Sequence, residues 1–387
     1  MNIIFTILLI VLGANTLYLF IFSVAACFKD PANETGSIAL WRLKTLVVFP
    51  VYKDDEVILQ SVKAFMQQHY SLDRLKVYVI ADELREETMA LLRQYGANVC
   101  ELPRSEKRNK AHAINTLLAQ LRESFDVCVV MDADNTVERD FVARINHYFL
   151  KGVKTLQARR IAKNNDNDLS RLDTYSEIIN NHIFRKGQRA LGFSSSLIGS
   201  GMAFDFILFK DVMKGMDVYS GFDKELELRL LEREVLIEYA EDIIVRDEKV
   251  AQHDVFVNQR RRWIYAQLHF LRMNFSCAIY HTFVKPNFDY VNKVTQFILF
   301  PRIIALGICA LLLPASLFFG FKLFVATAFI AFVMMASLLL PLRAKLTGTQ
   351  IWTTMIMLPL AFINMMYAAI TSGKAAGKFL HTPHNPR

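Results

Sequence analysis

Polar and apolar positions fall in blocks along the 387 residues. Met1 to Phe28 carries no charged side chain, and Lys29 and Asp30 follow at once. A spanning helix needs about 20 apolar residues, so this run predicts a membrane anchor. A cleavable leader would carry a basic stretch ahead of a shorter apolar core, and no Lys or Arg precedes this one. Charges then recur at the density of a soluble domain as far as Lys293. From Val294 the chain is apolar again over 294–319, 321–342 and 351–371, punctuated by Pro314, Gly320 and Lys322, with the 341–345 segment separating the last two. The pattern predicts a span over 1–28, a soluble part over 29–250, amphipathic interfacial helices over 251–293, about three spans over 294–371 and a tail over 372–387.

Inside the soluble part, short β-branched runs alternate with helical periodicity. Strands are expected over 43–51, 75–81, 97–102 and 125–131, and helices over 56–68, 85–95 and 110–121. Alternation of this kind predicts an α/β domain with a parallel sheet covered by helices. Ligands in such sheets bind beyond the carboxyl ends of the strands, where strand order reverses. No internal repeat or low-complexity segment interrupts the pattern.

Basic residues orient the chain. Lys29, Arg42 and Lys44 follow the first span and nothing basic precedes it, which places the soluble part in the cytoplasm of a multi-pass cell-membrane protein. Arg343 and Lys345 lie on the same side if the two spans before them form a hairpin. Lys374, Lys378 and Arg387 then fall outside, against the rule. Either the tail crosses or 351–371 is not a full span.

Composition agrees with a mixed chain. A 53% hydrophobic content is high for a soluble enzyme, while 45 basic and 37 acidic side chains exclude a protein that is membrane throughout. The net charge of +8 suits a lipid bilayer with an anionic inner leaflet; no nucleic-acid motif accompanies it, so no nucleic-acid partner is expected. Cys27, Cys100, Cys128, Cys277 and Cys309 are scattered and support neither a disulfide framework nor a zinc site. The chain has no GxxxxGK[ST] loop, which disfavours a transporter driven by nucleotide hydrolysis.

Candidate chemistry clusters where strands end. Val129-Val130-Met131 runs directly into Asp132-Ala133-Asp134. On an extended backbone, residues two apart face the same side, and two such carboxylates repel unless a hard divalent cation lies beside them. A solvated turn capping a helix is the competing reading, since Asp134 and Asn135 are good caps. Tyr52, followed by Lys53-Asp54-Asp55, and Asp82-Glu83 end the first and second strands. An aromatic ring and a carboxylate there suit a nucleotide base, although edge packing and an Asx turn explain each one singly. Near the apolar C-terminal part stands Gln259-Arg260-Arg261-Arg262-Trp263. Helical spacing puts Gln259, Arg262 and Trp263 on one face, joining an amide, a diphosphate-binding guanidinium and an indole able to stack on a sugar. A lipid-headgroup patch with an interfacial Trp is the competing reading.

With these motifs the chain resembles the membrane-integrated family 2 glycosyltransferases, the group of cellulose, hyaluronan and chitin-oligosaccharide synthases. The resemblance covers nearly the whole length. It rests chiefly on the QxxRW motif (Gln259, Arg262, Trp263), the Asp-x-Asp of Asp132 and Asp134, and Asp82 after the second strand. Lys110-Ala111-His112-Ala113-Ile114-Asn115 is similar to the family's Lys-x-x-Ala-Leu-Asn, and Gly199 to Phe204 to its Gly-rich acceptor loop. The resemblance implies a GT-A-like, Rossmann-like nucleotide-sugar-binding domain with transmembrane helices. It implies Mg2+ or Mn2+ on Asp132 and Asp134, and a nucleotide-sugar donor, by family default a UDP-sugar, held by Tyr52, Asp82, Lys110, Asp132, Gln259, Arg262 and Trp263. Ser200, Gly201, Met202 and Trp263 would meet the acceptor. Inverting transfer would use Glu225, which falls on the family's base position, with Asp223 the runner-up. Lys53-Asp54-Asp55 in place of the usual Asn-Glu pair, Ala81 beside Asp82, and a Glu at the base position depart from the pattern.

Three functions follow as expectations. The first is polysaccharide or oligosaccharide synthesis, processive and with export through the membrane. The second is transfer of one sugar to a lipid acceptor. The third, favoured only by the departures, is a glycan-assembly scaffold without activity. The sequence does not reveal a protein partner.

Overall fold

The computed structural model describes residues 2–28, 42–103, 109–164, 167–250, 252–343 and 348–375. Lys29, Lys345, Lys378 and Arg387, used above for orientation, lie outside the described residues. After the apolar helix α1 (Asn2–Phe28), the predicted alternation appears as β1 (Thr45–Tyr52), α2 (Asp55–Phe65), β2 (Leu75–Asp82), α3 (Glu86–Gln94), β3 (Asn98–Glu101), α4 (Lys110–Gln120) and β4 (Val127–Val130). Beyond it come β5 (Thr136–Val137), α5 (Phe141–Leu150), β6 (Thr155–Ala162), α6 (Asp168–Asn180), a π-helical segment (Asn181–Gly187) and α7 (Gln188–Ala190). The domain closes with β7 (Met202–Asp205), α8 (Phe206–Met213), α9 (Phe222–Glu232) and β8 (Glu238–Asp247). The remaining helices are α10 (His253–Phe283), α11 (Phe288–Ile298), α12 (Arg302–Ser316), α13 (Phe321–Leu339) and α14 (Gly348–Ile370).

The central strands β1 and β4 are almost wholly apolar because both sheet faces are covered there. In β1, Leu46 and Val48 enter one buried cluster, while Val47, Phe49 and Val51 enter the other. Helix α2 contributes Ile58, Val62 and Phe65 to the second cluster, a spacing that keeps one face against the sheet.

The eight strands are ordered β3-β2-β1-β4-β7-β6-β8-β5. The first four are mutually parallel, as expected, but the sheet as a whole is mixed: β7 runs antiparallel to both β4 and β6, and β5 antiparallel to β8. An antiparallel strand needs no crossover on the sheet, so the chain between β6 and β7 is free to leave it and pack on α1. Because β8 is parallel to β6, the strands β1, β2, β4, β6 and β8 all end at one edge. Strand order reverses between β1 and β4.

Helix α1 packs directly on the domain. Tyr18 Oη donates to Asn292 Oδ1 at 2.8 Å, and His182 Nε2 lies 2.8 Å from the Ser23 carbonyl. Leu19 and Phe22 join Ile183 in a buried cluster. A Cβ on Gly187 would stand 2.2 Å from the Phe22 carbonyl oxygen, so only glycine admits this approach.

Among the described residues, three helices are long and apolar enough to cross a membrane: 3–28, 302–319 and 321–342. The stretch expected as one span over 294–319 is divided. Helix α11 ends at Ile298, Leu299 is extended, and α12 begins after Pro301, which cannot continue a helix from the preceding residues. In the last stretch the apolar helical part is the shorter 356–370.

Candidate active site

Parallel register sets Tyr52 opposite Asp82 at the ends of β1 and β2. Just beyond, Lys53 and Glu83 both have left-handed backbone, with φ of 59° and 58°, a costly conformation found at constrained sites. Their side chains pair at 3.1 Å, and the Lys53 ammonium lies over the Tyr52 ring. Asp54 lines the cavity described below, while Asp55 Oδ1 accepts the Arg85 backbone N–H at 2.8 Å.

The Asp-x-Asp follows β4 at the strand-order reversal. It is not extended: Asn135 N–H donates to the Asp132 carbonyl at 3.1 Å, and Asp132 N–H to Asn135 Oδ1 at 2.9 Å. This turn, rather than strand alternation, brings both carboxylates to one cavity. Lys110, in the first turn of α4, donates to Asp132 Oδ1 and, at 2.7 Å, to the Gly199 carbonyl. Asp134 is buried, accepting from Glu248 N–H at 2.7 Å and from Asn135 Nδ2 at 3.1 Å.

A cavity of about 550 Å³ lies over this edge. Tyr52, Asp82, Lys110, Asp132 and Asp134 form one wall, and Gln259, Arg262 and Trp263 of α10 form another. The triad face thus meets the strand-end acids across a single space. Arg262 is largely buried, which lowers its pKa, while Asp223 and Asp132 are near enough to favour its charge.

Glu225 does not line the cavity. Its Oε1 accepts from Arg229 Nε at 2.7 Å, one helical turn on, and Arg229 also donates to the Val212 and Lys214 carbonyls. Asp223 and Lys224 line the cavity instead. Gly221, at φ +79°, sets this placement, since a Cβ there would meet Phe270 at 2.6 Å; α9 starts immediately after it, with Asp223 in its first turn. The segment that resembles the family's Gly-rich loop meets the cavity a few residues earlier than Ser200. Ser200 and Met202 are fully buried, and Gly201 packs under Val245 as β7 begins. The lining is Ser196, Leu197, Ile198 and Gly199.

Several cavity residues were not anticipated. Arg160, Asp247 and Glu248 stand at the ends of β6 and β8, where the same strand-end rule applies once those strands are recognised. Arg160 pairs with Glu177 at 2.9 Å and with Asp247 at 3.2 Å. Arg185 and Lys249 complete the network on Glu177 and Asp247. Burial opposes the Arg160 charge, but the two carboxylates more than offset this and hold it above its usual range.

Lys293 also lines the cavity, and its ammonium meets Glu227 Oε1 at 2.6 Å. Burial pushes the Glu227 carboxyl up and the Lys293 ammonium down, each partly offset by the other. No motif marks the pair, and its members come together only through packing of α9 on α11. Breaking a buried ion pair on one side costs about 3–5 kcal/mol. Lys293→Met is therefore expected to destabilise the protein by that order, and Glu227→Gln/Lys293→Met to recover most of it, read by thermal unfolding in detergent. Equal melting of the single and double variants would contradict a paired role.

The donor set can be tested against a divalent cation. Among the described residues, no group of three or more His, Cys, Asp or Glu side chains gathers to cage an ion. Two carboxylates on one cavity wall instead fit an ion such as Mg2+, which is bound through one or two carboxylates and completed by phosphate oxygens and water.

A family model described as "Glycosyltransferase like family 2" matches residues 43–266. The chain is 27% identical over 124 residues to "Probable glycosyltransferase YdaM" of Bacillus subtilis (strain 168), a match covering 29% of each protein; it therefore spans less than a third of that relative's length. Among solved structures, a mannosyltransferase of Pyrobaculum calidifontis in complex with GDP-Man and Mn2+ superposes with a TM-score of 0.62 at 18% identity, covering 95% of this chain and 98% of that one. At that identity the likeness is one of fold.

Proposed function

The chain belongs to glycosyltransferase-like family 2, and from that premise we propose that it performs an inverting transfer of sugar from a nucleotide sugar to an acceptor hydroxyl at the cytoplasmic membrane face. The observation that carries this reading is the single cavity lined by both Asp132/Asp134 and Gln259/Arg262/Trp263. A mere surface anchor would leave that helix face in lipid, away from the acids.

Tyr52 and Asp82 frame the nucleoside, and Lys110 orients Asp132 by the contact described above. Asp132 and Asp134 would hold Mg2+ or Mn2+, which when bound supplies positive charge to the leaving diphosphate. Arg262 offers its fork to the same diphosphate. Asp223 accepts the proton as the acceptor oxygen attacks the anomeric carbon, from the face opposite the departing group. Trp263 provides a plane for the sugar on the acceptor side.

The donor is tested with the purified full chain and a panel of nucleotide sugars. UDP-sugars come first as the family default, with GDP-mannose beside them because the Pyrobaculum mannosyltransferase holds GDP-Man. Release of nucleoside diphosphate together with a product of matching mass supports the reading, and no release from any donor sinks it. Trp263→Ala is expected to lower kcat/KM about 10- to 100-fold, a loss of about 1.4–2.7 kcal/mol in transition-state binding, while the protein still fractionates with membranes. Full activity with impaired insertion would instead make Trp263 an anchor.

The polymer reading rests on the layout of spans and the triad. The single-transfer reading rests on the chemistry of a second, smaller cavity behind Trp263.

A further inference from the structure

We propose that the smaller cavity behind Trp263 seats the phosphate of a membrane lipid, and that this lipid is the acceptor; the acceptor role rests on the transferase reading of the main cavity. The second cavity measures about 220 Å³ and is walled partly by the apolar helices, through Leu19 of α1, Ile303 of α12 and Met365 of α14. Asn180, Phe184 and Trp263 line both cavities. These three side chains therefore form a wall common to the two cavities.

The cavity is positively charged. Arg260 and Arg302 line it, and no Asp or Glu does. Arg260 is partly satisfied by an ion pair with Asp173, and it is held over the Trp263 ring at 4.2 Å. Its Nε nevertheless has no hydrogen-bond partner. Arg302 has no carboxylate partner among the described residues; its Nη2 donates to Ser176 Oγ at 3.0 Å, and its buried Nη1 has no partner. Arginine does not lose its proton in proteins. An uncompensated guanidinium at the end of a spanning helix is costly, and basic pockets between spanning helices suit anionic lipid headgroups.

An anion from bulk water would not need Leu19, Ile303 and Met365 around it. A phosphate carrying hydrocarbon uses both features. In transfer to such a lipid, a hydroxyl on the headgroup passes Trp263. Its oxygen bonds to the anomeric carbon, the bond from that carbon to the diphosphate oxygen breaks, the proton goes to Asp223, and the nucleoside diphosphate leaves.

The full chain is purified in detergent micelles doped with phosphatidylglycerol, with an isoprenyl-diphosphate-linked sugar, or with diacylglycerol, which lacks phosphate. Lipid retention is read by native mass spectrometry, inorganic phosphate being titrated as competitor. Retention of a phosphate lipid but not of diacylglycerol is expected, and which phosphate lipid is kept identifies the source. Arg302→Gln is expected to weaken retention about tenfold, the scale of a lost charge-assisted hydrogen bond, and Arg302→Lys to restore part of it. Ile303→Trp, which fills the cavity without touching the charge, should also weaken retention while melting as the wild type does. Equal retention of diacylglycerol, unchanged retention in Arg302→Gln, or binding of inorganic phosphate as tight as that of the lipid would overturn the proposal. If no nucleotide sugar is turned over while phosphate lipid is still retained, the donor-cavity reading fails and the lipid seat stands.

Discussion

Asp132→Asn and Asp134→Asn are each expected to lower turnover about a thousandfold or more, because the lost charge stabilisation at the leaving diphosphate is worth several kcal/mol. The two variants should differ in their side effects. Asp132 is held by Lys110 and is partly open to the cavity, so its amide should fold normally and fail in catalysis alone. Asp134 is buried and accepts the Glu248 backbone N–H, so its amide should also loosen the 247–249 segment and the charged network there. Turnover of the wild-type enzyme should vanish in chelator and return with Mg2+ or Mn2+, whereas neither variant should recover with added metal. Nucleoside diphosphate release measured across a metal titration decides this. Full turnover in chelator would remove the metal from the mechanism.

Asp223→Asn should reduce kcat about 10²–10⁴-fold, the usual contribution of a positioned general base, with donor affinity nearly unchanged because the base touches the acceptor rather than the nucleotide. Glu225→Gln should cost far less. Its carboxylate is engaged with the half-buried Arg229 one turn along α9 rather than facing the cavity, and loss of an i,i+4 helical pair is worth about 0.3–0.5 kcal/mol. Single-turnover kinetics on both variants separate the two acids. The opposite ranking would return the base to the position given by the family resemblance.

The contrast between these residues shows where sequence reasoning holds and where it stops. Strands β1, β2 and β4 and helices α2 to α4 were legible because continuous apolar runs and helical spacing report burial directly. Their ends were legible too, so Tyr52, Asp82, Asp132 and Asp134 could be read from the order of elements alone, and helical spacing alone joined Gln259 to Arg262 and Trp263. Glu225 was placed by alignment of a motif, and alignment does not register the turn of α9 at which Gly221 starts the helix. Ser200 and Met202 are buried for a related reason: the chain enters β7 at Met202, which no local pattern reports. Arg160, Asp247 and Lys293 depend on strands and helices far apart in the chain, and no local pattern reports such partners.

The close crossing of α1 at Gly187 has a practical meaning for how this enzyme works. An anchor joined only by a tether would let the catalytic body swing and reach targets well above the surface. Here the first helix is clamped to that body, so the cavity keeps a fixed position relative to α1. A truncated form lacking the helix would bare Ile183 and Phe193 and clump rather than dissolve. On the proposed membrane topology, such a clamp confines transfer to acceptors presented close to the bilayer.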